Sequence, residues 1–319
     1  MARYLLGRIG SGVIMFFAIT LFVFIAFFAL PKNTSREAQR TPSAFRMHGS
    51  MSGSYARYVW GFVRHGDLGY SYQNREAVTS RLFRAAPVTL SLILGGMVVW
   101  ILIAVPLGLL AALRPRSLVD RLATVFVLIG LSAHPVWLGL MLSYLFGHSL
   151  HVLPADGYCS INNLSTGCEG LWQWTYHLIL PWVTFGVINA ALFTTMIRAL
   201  VLEELNAEYV RTALAKGAGQ FRIVRAHLLK NVTLPLVTLI GLNAGTALGG
   251  VIFVESAFDL PGLGGLLRQA TLRRDLPMTA GSVVFLALAI MVLNLLVDLA
   301  YATLDPRIRL SARAAREAV

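Results

Sequence analysis

Candidate catalytic residues are few in this chain. Its 319 residues contain no Walker A sequence, no H-E-x-x-H pair, no G-x-S-x-G turn and no Rossmann glycine pattern. The seven histidines are scattered, and a long apolar segment holds an acid at Asp298, with Asn294 one helical turn before it. An ionisable group there is a functional candidate, although a packing contact explains it equally well. We therefore predict that the chain is not an enzyme and holds no cofactor.

Two cysteines, Cys159 and Cys168, are nine residues apart in the stretch GYCSINNLSTGCEG. In an oxidising compartment they can close a small loop, which would stabilise the fold by roughly 2.5 to 3 kcal/mol, less any strain. A metal site that adds His148, His151 and Asp156 is the alternative. Because the spacing fits no zinc pattern, we predict a disulfide bond and no metal.

The composition requires a membrane. The chain is 56% hydrophobic and 13% charged, with a mean hydropathy of +0.68, which is outside the range of soluble domains. A helix needs roughly 20 apolar residues to cross a bilayer. Six stretches are long enough and free of Lys, Arg, Asp and Glu: 9–30, 88–113, 122–147, 178–197, 232–254 and 276–297. We predict an all-α bundle of six transmembrane helices, each a helix even where Pro106, Pro135, Pro181 or Pro235 interrupts it.

The distribution of basic residues orients these spans. The first stretch is longer than the core of a signal peptide and no clear cleavage site follows it, so we expect a retained helix. With cytoplasmic termini, the inside regions hold 15 of the 27 Lys and Arg residues and the two short outside loops hold three, Arg268, Arg273 and Arg274. The positive-inside rule therefore predicts that both termini are cytoplasmic. The net charge of +12 then reflects topology and anionic lipid, not nucleic acid.

The spans divide the chain into predicted parts. These are the N-terminus and first helix (1–30), an extracytoplasmic segment (31–86), a five-helix core (87–310) and a cytoplasmic tail (311–319). Within the second part, helical spacing joins Tyr55, Tyr58, Val59, Phe62 and Val63. This spacing predicts an amphipathic helix that lies on the membrane face or caps the bundle. The external loop at 255–275 is either a lid or a connector.

The fifth span carries a stripe of small residues. Gly241, Gly245 and Gly249 repeat every four residues, with Asn243 and Thr246 beside them. Such a stripe lets another helix come close and offers groups for hydrogen bonds between helices. It predicts either simple packing or one wall of a moving substrate path.

A polar stretch, EYVRTALAKGAGQFRIVRAHLLKN at 208–231, separates the fourth and fifth spans. Leu202–Lys216 has acids near its start and bases near its end, which suits the helix dipole, and Gly217 and Gly219 end it. A second, basic helix is predicted from Gln220 to Lys230. Anchoring at the lipid surface explains only this basic half, so we predict a helix, turn, helix unit that docks a cytoplasmic protein.

This stretch resembles the coupling loop of binding-protein-dependent ABC import permeases, in detail that of the dipeptide, oligopeptide and nickel group. Its most characteristic places are Ala213, Ala215, Lys216 and Gly217. The resemblance continues in order at GDLGYS (66–71), PVTLSL (87–92), HLILP (177–181), VESAFDLPGLGGLL (254–267) and NLLVDLAYATLDPRIR (294–309). It departs after the first helix, where the chain reads LPKNTS and such permeases commonly have LPGDP.

The resemblance implies a permease subunit that spans a bacterial-type inner membrane and forms half of a path for peptides or similar small solutes. Its partners would be a second homologous permease, two cytoplasmic ATPases that bind ATP and Mg²⁺, and an external solute-binding protein. The coupling loop at 203–230 would act through Glu208, Tyr209, Arg211, Ala213, Ala215, Lys216, Gly217 and Arg222. The path or its packing would involve Gly241, Asn243, Gly245, Gly249, Asn294 and Asp298. An external gate, or a contact with the binding protein, would comprise Glu255, Phe258, Pro261, Gly262 and Gly264.

Two other classes of protein are alternatives. An ion-coupled secondary transporter would be expected to carry charged or broken-helix sites near the bilayer midplane and internal repeats, and the sequence shows no convincing repeat. A membrane-embedded enzyme would need a catalytic set that the sequence lacks. A requirement of transport for ATP hydrolysis separates all three classes.

We expect residues 203–230 and the tail after Asp305 to face the cytoplasm. In a cysteine-free background, a single cysteine at position 220 should react with a membrane-impermeant thiol reagent only after the membrane has been opened, because the basic loops stay inside. Reaction of this cysteine from outside intact cells would reverse the topology.

Overall fold

The computed structural model describes residues 2–26, 51–160, 170–217, 219–224 and 228–304. Over these residues the regular structure is helical, apart from one isolated antiparallel bridge between Tyr70 and Ala77. The helices are α1 (Ala2–Phe24), α2 (Met51–His65), α3 (Val78–Leu113), α4 (Leu118–Ser132), α5 (Pro135–Leu142), α6 (Gly170–Leu205), α7 (Glu208–Ala215), α8 (Gln220–Ile223), α9 (Leu229–Ala257), α10 (Leu263–Leu272) and α11 (Leu276–Leu304), with a π-helix at Ser143–Ser149. The described part of the chain is therefore all-α, as predicted.

The helices belong to two compact units. The described residues within 1–89 and 261–295 form the first unit, and those within 90–260 and 296–319 form the second. Helices α3 and α11 each contribute residues to both units.

The described residues contain three helices that are long and apolar enough to cross a bilayer: Val78–Leu113, Gly170–Leu205 and Leu276–Val297. A bent pair, Leu118–Ser132 with Pro135–Ser149, is a fourth candidate. Shorter apolar helices lie at Gly10–Phe24 and Asn231–Ile240, within the first and fifth predicted spans. The protein is thus a multi-pass membrane protein with three or four candidate spans in this part of the chain, and six remains a prediction.

The third predicted span is not a continuous helix. It is bent by 106° at the break between Ser132 and Pro135. His134 has an extended backbone, because the ring of a following proline disfavours the helical conformation. The Nδ1 atom of His134 accepts a hydrogen bond from the backbone N–H of Val136 at 3.3 Å, which caps the new helix. The prediction of one helix over 122–147 is therefore wrong.

The other three prolines lie inside helices, as predicted. Pro106 is within α3, and Pro181 and Pro235 are within α6 and α9. In a membrane helix, neighbouring groups can satisfy the backbone that a proline frees. α6 is also longer than predicted, since it continues to Leu205, three residues past the expected start of the next helix at Leu202.

In the first unit, the predicted amphipathic helix is present as α2 and packs on α1. The hydroxyls of Thr20 and Tyr55 are 3.0 Å apart, the rings of Phe16 and Phe62 stack at 5.7 Å, and Tyr58 is buried. Val63, which the periodicity placed on the same face, is exposed. The structure therefore shows α2 packed on α1, and the choice between the two predicted roles stays a prediction.

In the second unit, glycines bring α3 and α6 into close contact. A Cβ atom at Gly95 would lie 2.1 Å from Cε2 of Trp182, and one at Gly96 would lie 2.4 Å from Cδ1 of Phe185. The Trp182 indole N–H donates to the carbonyl of Ser91 at 2.9 Å. The indole therefore occupies the space that a side chain at residue 95 would need, and this hydrogen bond holds it there.

The core of the second unit continues from this contact toward the predicted coupling loop at 203–230, the coupling segment. The rings of Trp100 and Phe193 stack at 4.2 Å. Around them are the buried residues Ala104, Ala112, Ala190, Ile197, Val201, Leu228 and Val232. Because Leu228 directly precedes α9 and Val232 lies in its first turn, this cluster packs the beginning of α9 against the end of α6.

We expect Gly95→Ala to destabilise the protein by about 1 to 3 kcal/mol, because the new methyl group displaces a hydrogen-bonded indole from a packed interface. The thermal unfolding midpoint in detergent measures this effect. Gly10→Ala in α1 is the matched control, since a Cβ there meets nothing within 4 Å. Equal midpoints for the two variants would show that the contact between α3 and α6 relaxes without cost.

Candidate functional site

The coupling segment begins where α6 ends. A two-residue turn, Asn206 and Ala207, separates α6 from α7, and its backbone N–H groups donate to the carbonyls of Glu203 and Glu204, each at 3.1 Å. Helix α7 therefore starts at Glu208, and the prediction that Leu202 begins it is corrected. The physical reason is that the apolar α6 runs on to Leu205 before the chain turns.

α7 is a short helix with one inner and one outer face. Val210 is buried and Tyr209 and Ala213 are half-buried. The other predicted coupling residues are exposed: Glu208, Arg211, Ala215, Lys216 and Arg222. The exposed set offers both acidic and basic groups to a docking protein.

Gly217 ends this helix in the left-handed conformation. Its φ is +80°, and its N–H donates to the carbonyl of Leu214 at 2.9 Å. A Cβ at this position would meet nothing within 4 Å. The glycine is therefore required by its backbone conformation and not by a close neighbour within this chain.

The second predicted coupling helix is divided in the structure. α8 covers Gln220–Ile223, and Lys230 belongs to α9. Residues 225–227 between them lie outside the described part. Ile223 and Leu228 are buried, so apolar packing holds the chain where it leads into α9.

A buried ion pair supports the same end of α6. The guanidinium of Arg198 donates from Nε to Oδ1 of Asp120 at 2.7 Å and from Nη2 to Oδ2 at 3.1 Å. The same carboxylate accepts from the N–H of Arg116 at 2.9 Å, and the Asp120 N–H donates to Oγ of Ser117 at 3.3 Å. This two-pronged contact fixes the first turn of α4 to α6.

This pair was not predicted from the sequence. Asp120 and Arg198 lie just outside the apolar stretches at 122–147 and 178–197, and neither was named as a candidate. The available signal was Ser117 three residues before Asp120, an N-cap pattern at the start of an apolar run. That pattern does not name Arg198, which is 78 residues away.

The predicted path residues lie in two helices. Gly241, Asn243, Gly245 and Gly249 are in α9. A Cβ at Gly249 would meet nothing within 4 Å, and the amide of Asn243 donates to the carbonyl of Leu239 in its own helix at 2.9 Å. Asn294 in α11 is exposed, and the side chain of Asp298 is outside the described residues. The choice between packing and path stays a prediction.

The predicted gate residues are mostly inside the fold. In the second unit, Glu255 and Phe258 are 0% and 1% exposed, and the Phe258 carbonyl accepts from the N–H of Gly157 at 3.0 Å. In the first unit, Gly262 and Gly264 are buried and Pro261 is exposed. Pro261 is therefore the member of this set that a docking protein can reach in the chain as described.

A second buried carboxylate organises the segment that follows α2 in the first unit. Asp275 is 2% exposed. It accepts hydrogen bonds from the hydroxyl of Ser71 and from the N–H groups of Tyr72 and Gln73, at 3.3 and 3.4 Å, and from that of Met278 at 3.3 Å. It thereby caps α11 and joins it to the GDLGYS stretch. The sequence analysis placed Asp275 only at the end of a loop.

The cysteine loop is described in part. Cys159 is buried and disulfide-bonded. Cys168, the other cysteine of the chain, lies outside the described residues, so the pairing itself stays a prediction. The rings of His148 and His151 are 6.3 Å apart, and the described residues contain no group of three or more His, Cys, Asp and Glu side chains that could hold a metal ion.

Comparison with known protein families assigns the chain to one of them. The family of binding-protein-dependent transport system inner membrane components matches residues 104–310. The chain belongs to this family. The resemblance to binding-protein-dependent ABC import permeases is therefore confirmed, and the family is one of transport proteins.

Relatives match over nearly the whole chain. The dipeptide transport system permease protein DppB of Escherichia coli is 34% identical, over 97% of this chain and 99% of that protein. A putative peptide permease protein of Brucella suis is 34% identical, over 98% and 100%. A probable peptide ABC transporter permease protein of Sinorhizobium fredii is 33% identical, over 97% and 100%.

The region that matches the family includes most of the site contacts described above. It begins inside α3 and includes the Asp120–Arg198 pair, the coupling segment and the glycine stripe of α9. The ion pair and the coupling segment therefore both belong to the part of the chain that defines the family.

We expect Asp120→Ala to destabilise the protein by about 1 to 3 kcal/mol, because it leaves the partly buried guanidinium of Arg198 without its acceptor. This range is at the low end for buried pairs, since 36% of the Arg198 side chain is exposed. Unfolding midpoints in detergent test it.

Arg198→Lys is the informative companion variant, because lysine keeps the charge but cannot form the two-pronged contact. We expect an intermediate midpoint. If Asp120→Ala unfolds at the wild-type temperature, the pair does not hold α4 to α6.

Proposed function

We propose that this protein is the permease subunit of an ATP-driven peptide importer. It crosses a bacterial inner membrane six times with cytoplasmic termini and forms half of the translocation path. A second homologous permease completes the path, and an external solute-binding protein delivers the cargo. Two cytoplasmic ATPases bind ATP and Mg²⁺, and this chain carries no cofactor. The names of the relatives, which specify dipeptides or peptides, support peptides as the cargo.

One observation carries the coupling role. Helix α7 follows a candidate span after a turn of two residues, has an exposed outer face, and ends at a glycine with φ +80°. A helix held in this way presents its outer face to a cytoplasmic partner and transmits displacement to the span behind it. Closure of the ATPases moves α7, and rigid-body rocking of the bundle then opens the path outward.

Reconstitution in liposomes of the five components, which are this chain and its four partners, tests this function. Uptake of peptide should require ATP hydrolysis and the binding protein. An ion-coupled secondary transporter would instead take up peptide on an ion gradient without ATP. Uptake of that kind would overturn the proposal.

We expect Gly217→Val to leave insertion and assembly near normal but to abolish most of the cargo-stimulated ATP hydrolysis. Valine in the left-handed region costs about 1 to 3 kcal/mol, which shifts α7 from its docking position without unfolding the membrane helices. Complex yield and stimulated ATPase activity are measured side by side in lipid.

Two further variants separate backbone conformation from contact. Gly219→Val is the matched control, because Gly219 also has open space around it and does not have a positive φ. Gly217→Asn should retain stimulation, since asparagine tolerates the left-handed region. Full stimulation in Gly217→Val would remove the coupling role from this turn.

A further inference from the structure

The coupling helix is joined to two other helices by one carboxylate. Glu204 lies in the last turn of α6, and its Oε2 atom accepts the hydroxyl of Tyr209 in α7. The same oxygen accepts the side-chain amide of Asn231 in the first turn of α9 at 3.3 Å. Three helices that are separate along the chain therefore meet at one oxygen atom.

Along the chain, α7 is joined to α6 by a short connection and to α9 by a long one. α7 follows α6 after two residues, but it reaches α9 only through residues 216–228, which include Gly217 and Gly219. Glycine backbones resist bending weakly because they adopt many conformations. The polar junction at Glu204 is thus the short connection from α7 to α9.

The phenol of Tyr209 is suited to a lasting contact. It is half-buried, and burial raises the pKa of its hydroxyl, an effect that the hydrogen bond to Glu204 strengthens and contact with Asn231 opposes. The phenol therefore stays protonated at neutral pH and keeps donating to the carboxylate. The next residue, Val210, is buried, so α7 is held by an apolar and a polar contact together.

We propose that Glu204 is a positioning residue for coupling: it makes α7 move with α6 and α9 as one body, so that displacement of α7 by an ATPase is delivered to both membrane helices. This inference rests on the proposed function. It assigns to Glu204 a role that the resemblance of the segment to coupling loops did not include. Without the junction, α7 loses its direct polar link to α9 and is connected to it only through α6 and the glycine-containing chain, and ATP is hydrolysed without full opening of the path.

The number of peptides imported per ATP hydrolysed tests the role, because this ratio does not depend on how much complex is folded. In the five-component complex in liposomes, Glu204→Ala should lower the ratio about fivefold or more. Tyr209→Phe, which removes one oxygen atom, should lower it less, and Asn231→Ala should act in the same direction. Glu204→Gln is the conservative variant and should retain most of the ratio, since its carbonyl oxygen accepts both hydrogen bonds.

A double-mutant cycle isolates the junction. If Tyr209 acts through Glu204, the variant that combines Glu204→Ala with Tyr209→Phe should be no worse than Glu204→Ala alone. A wild-type ratio in Glu204→Ala, or a lower yield of complex with an unchanged ratio, would overturn the inference and leave a structural contact. Failure of the wild-type complex to import peptide with ATP would instead overturn the proposed function.

Discussion

Hydrocarbon offers no hydrogen-bond partner, so each backbone polar group within the bilayer has to be satisfied by the protein itself. Most of this chain meets the constraint with long helices. Where the chain breaks, nearby side chains take over: the ring of His134 accepts the N–H of Val136 beside Pro135, and the hydroxyl of Ser117 accepts that of Asp120. The starts of α4 and α5 therefore coincide with residues that can cap them.

Close packing is the second consequence of the apolar environment. Lipid competes with apolar side chains for the same contacts, so helices in a membrane associate through shape and through small residues. Gly95 and Gly96 create the space for Trp182 and Phe185, and the indole is then fixed by the carbonyl of Ser91. The contact between α3 and α6 is accordingly specific in a way that a row of leucines would not be.

Two charged contacts of the second unit lie where α6 leaves this packing. Arg198 is paired with Asp120, and Glu204, six residues further along the same helix, holds Tyr209 and Asn231. α6 is therefore fixed to α4 by one charge and to α7 and α9 by another. A helix fixed at these two points resists independent bending, as the proposed coupling to separate ATPase subunits requires.

Many of the helices and some of their ends could be predicted from the sequence, because hydropathy and the residues that end helices are local signals. Apolar length gave the positions of the helices, the spacing of Tyr55, Tyr58, Val59 and Phe62 gave α2, and Gly217 marked the end of α7. Pro135 was visible too, but whether a proline breaks a membrane helix depends on which groups lie around it. For that reason Pro181 and Pro135 have opposite outcomes.

From the sequence alone follow a helical membrane protein, its resemblance to binding-protein-dependent permeases, and the polar segment between the fourth and fifth predicted spans. Which charges meet depends on the folded structure. Asp120 finds Arg198 across 78 residues, Glu204 finds Asn231 across 27, and Asp275 finds Ser71 across 204. No local pattern encodes these partners, because a hydrogen bond between helices depends on how their surfaces pack and not on their separation along the chain.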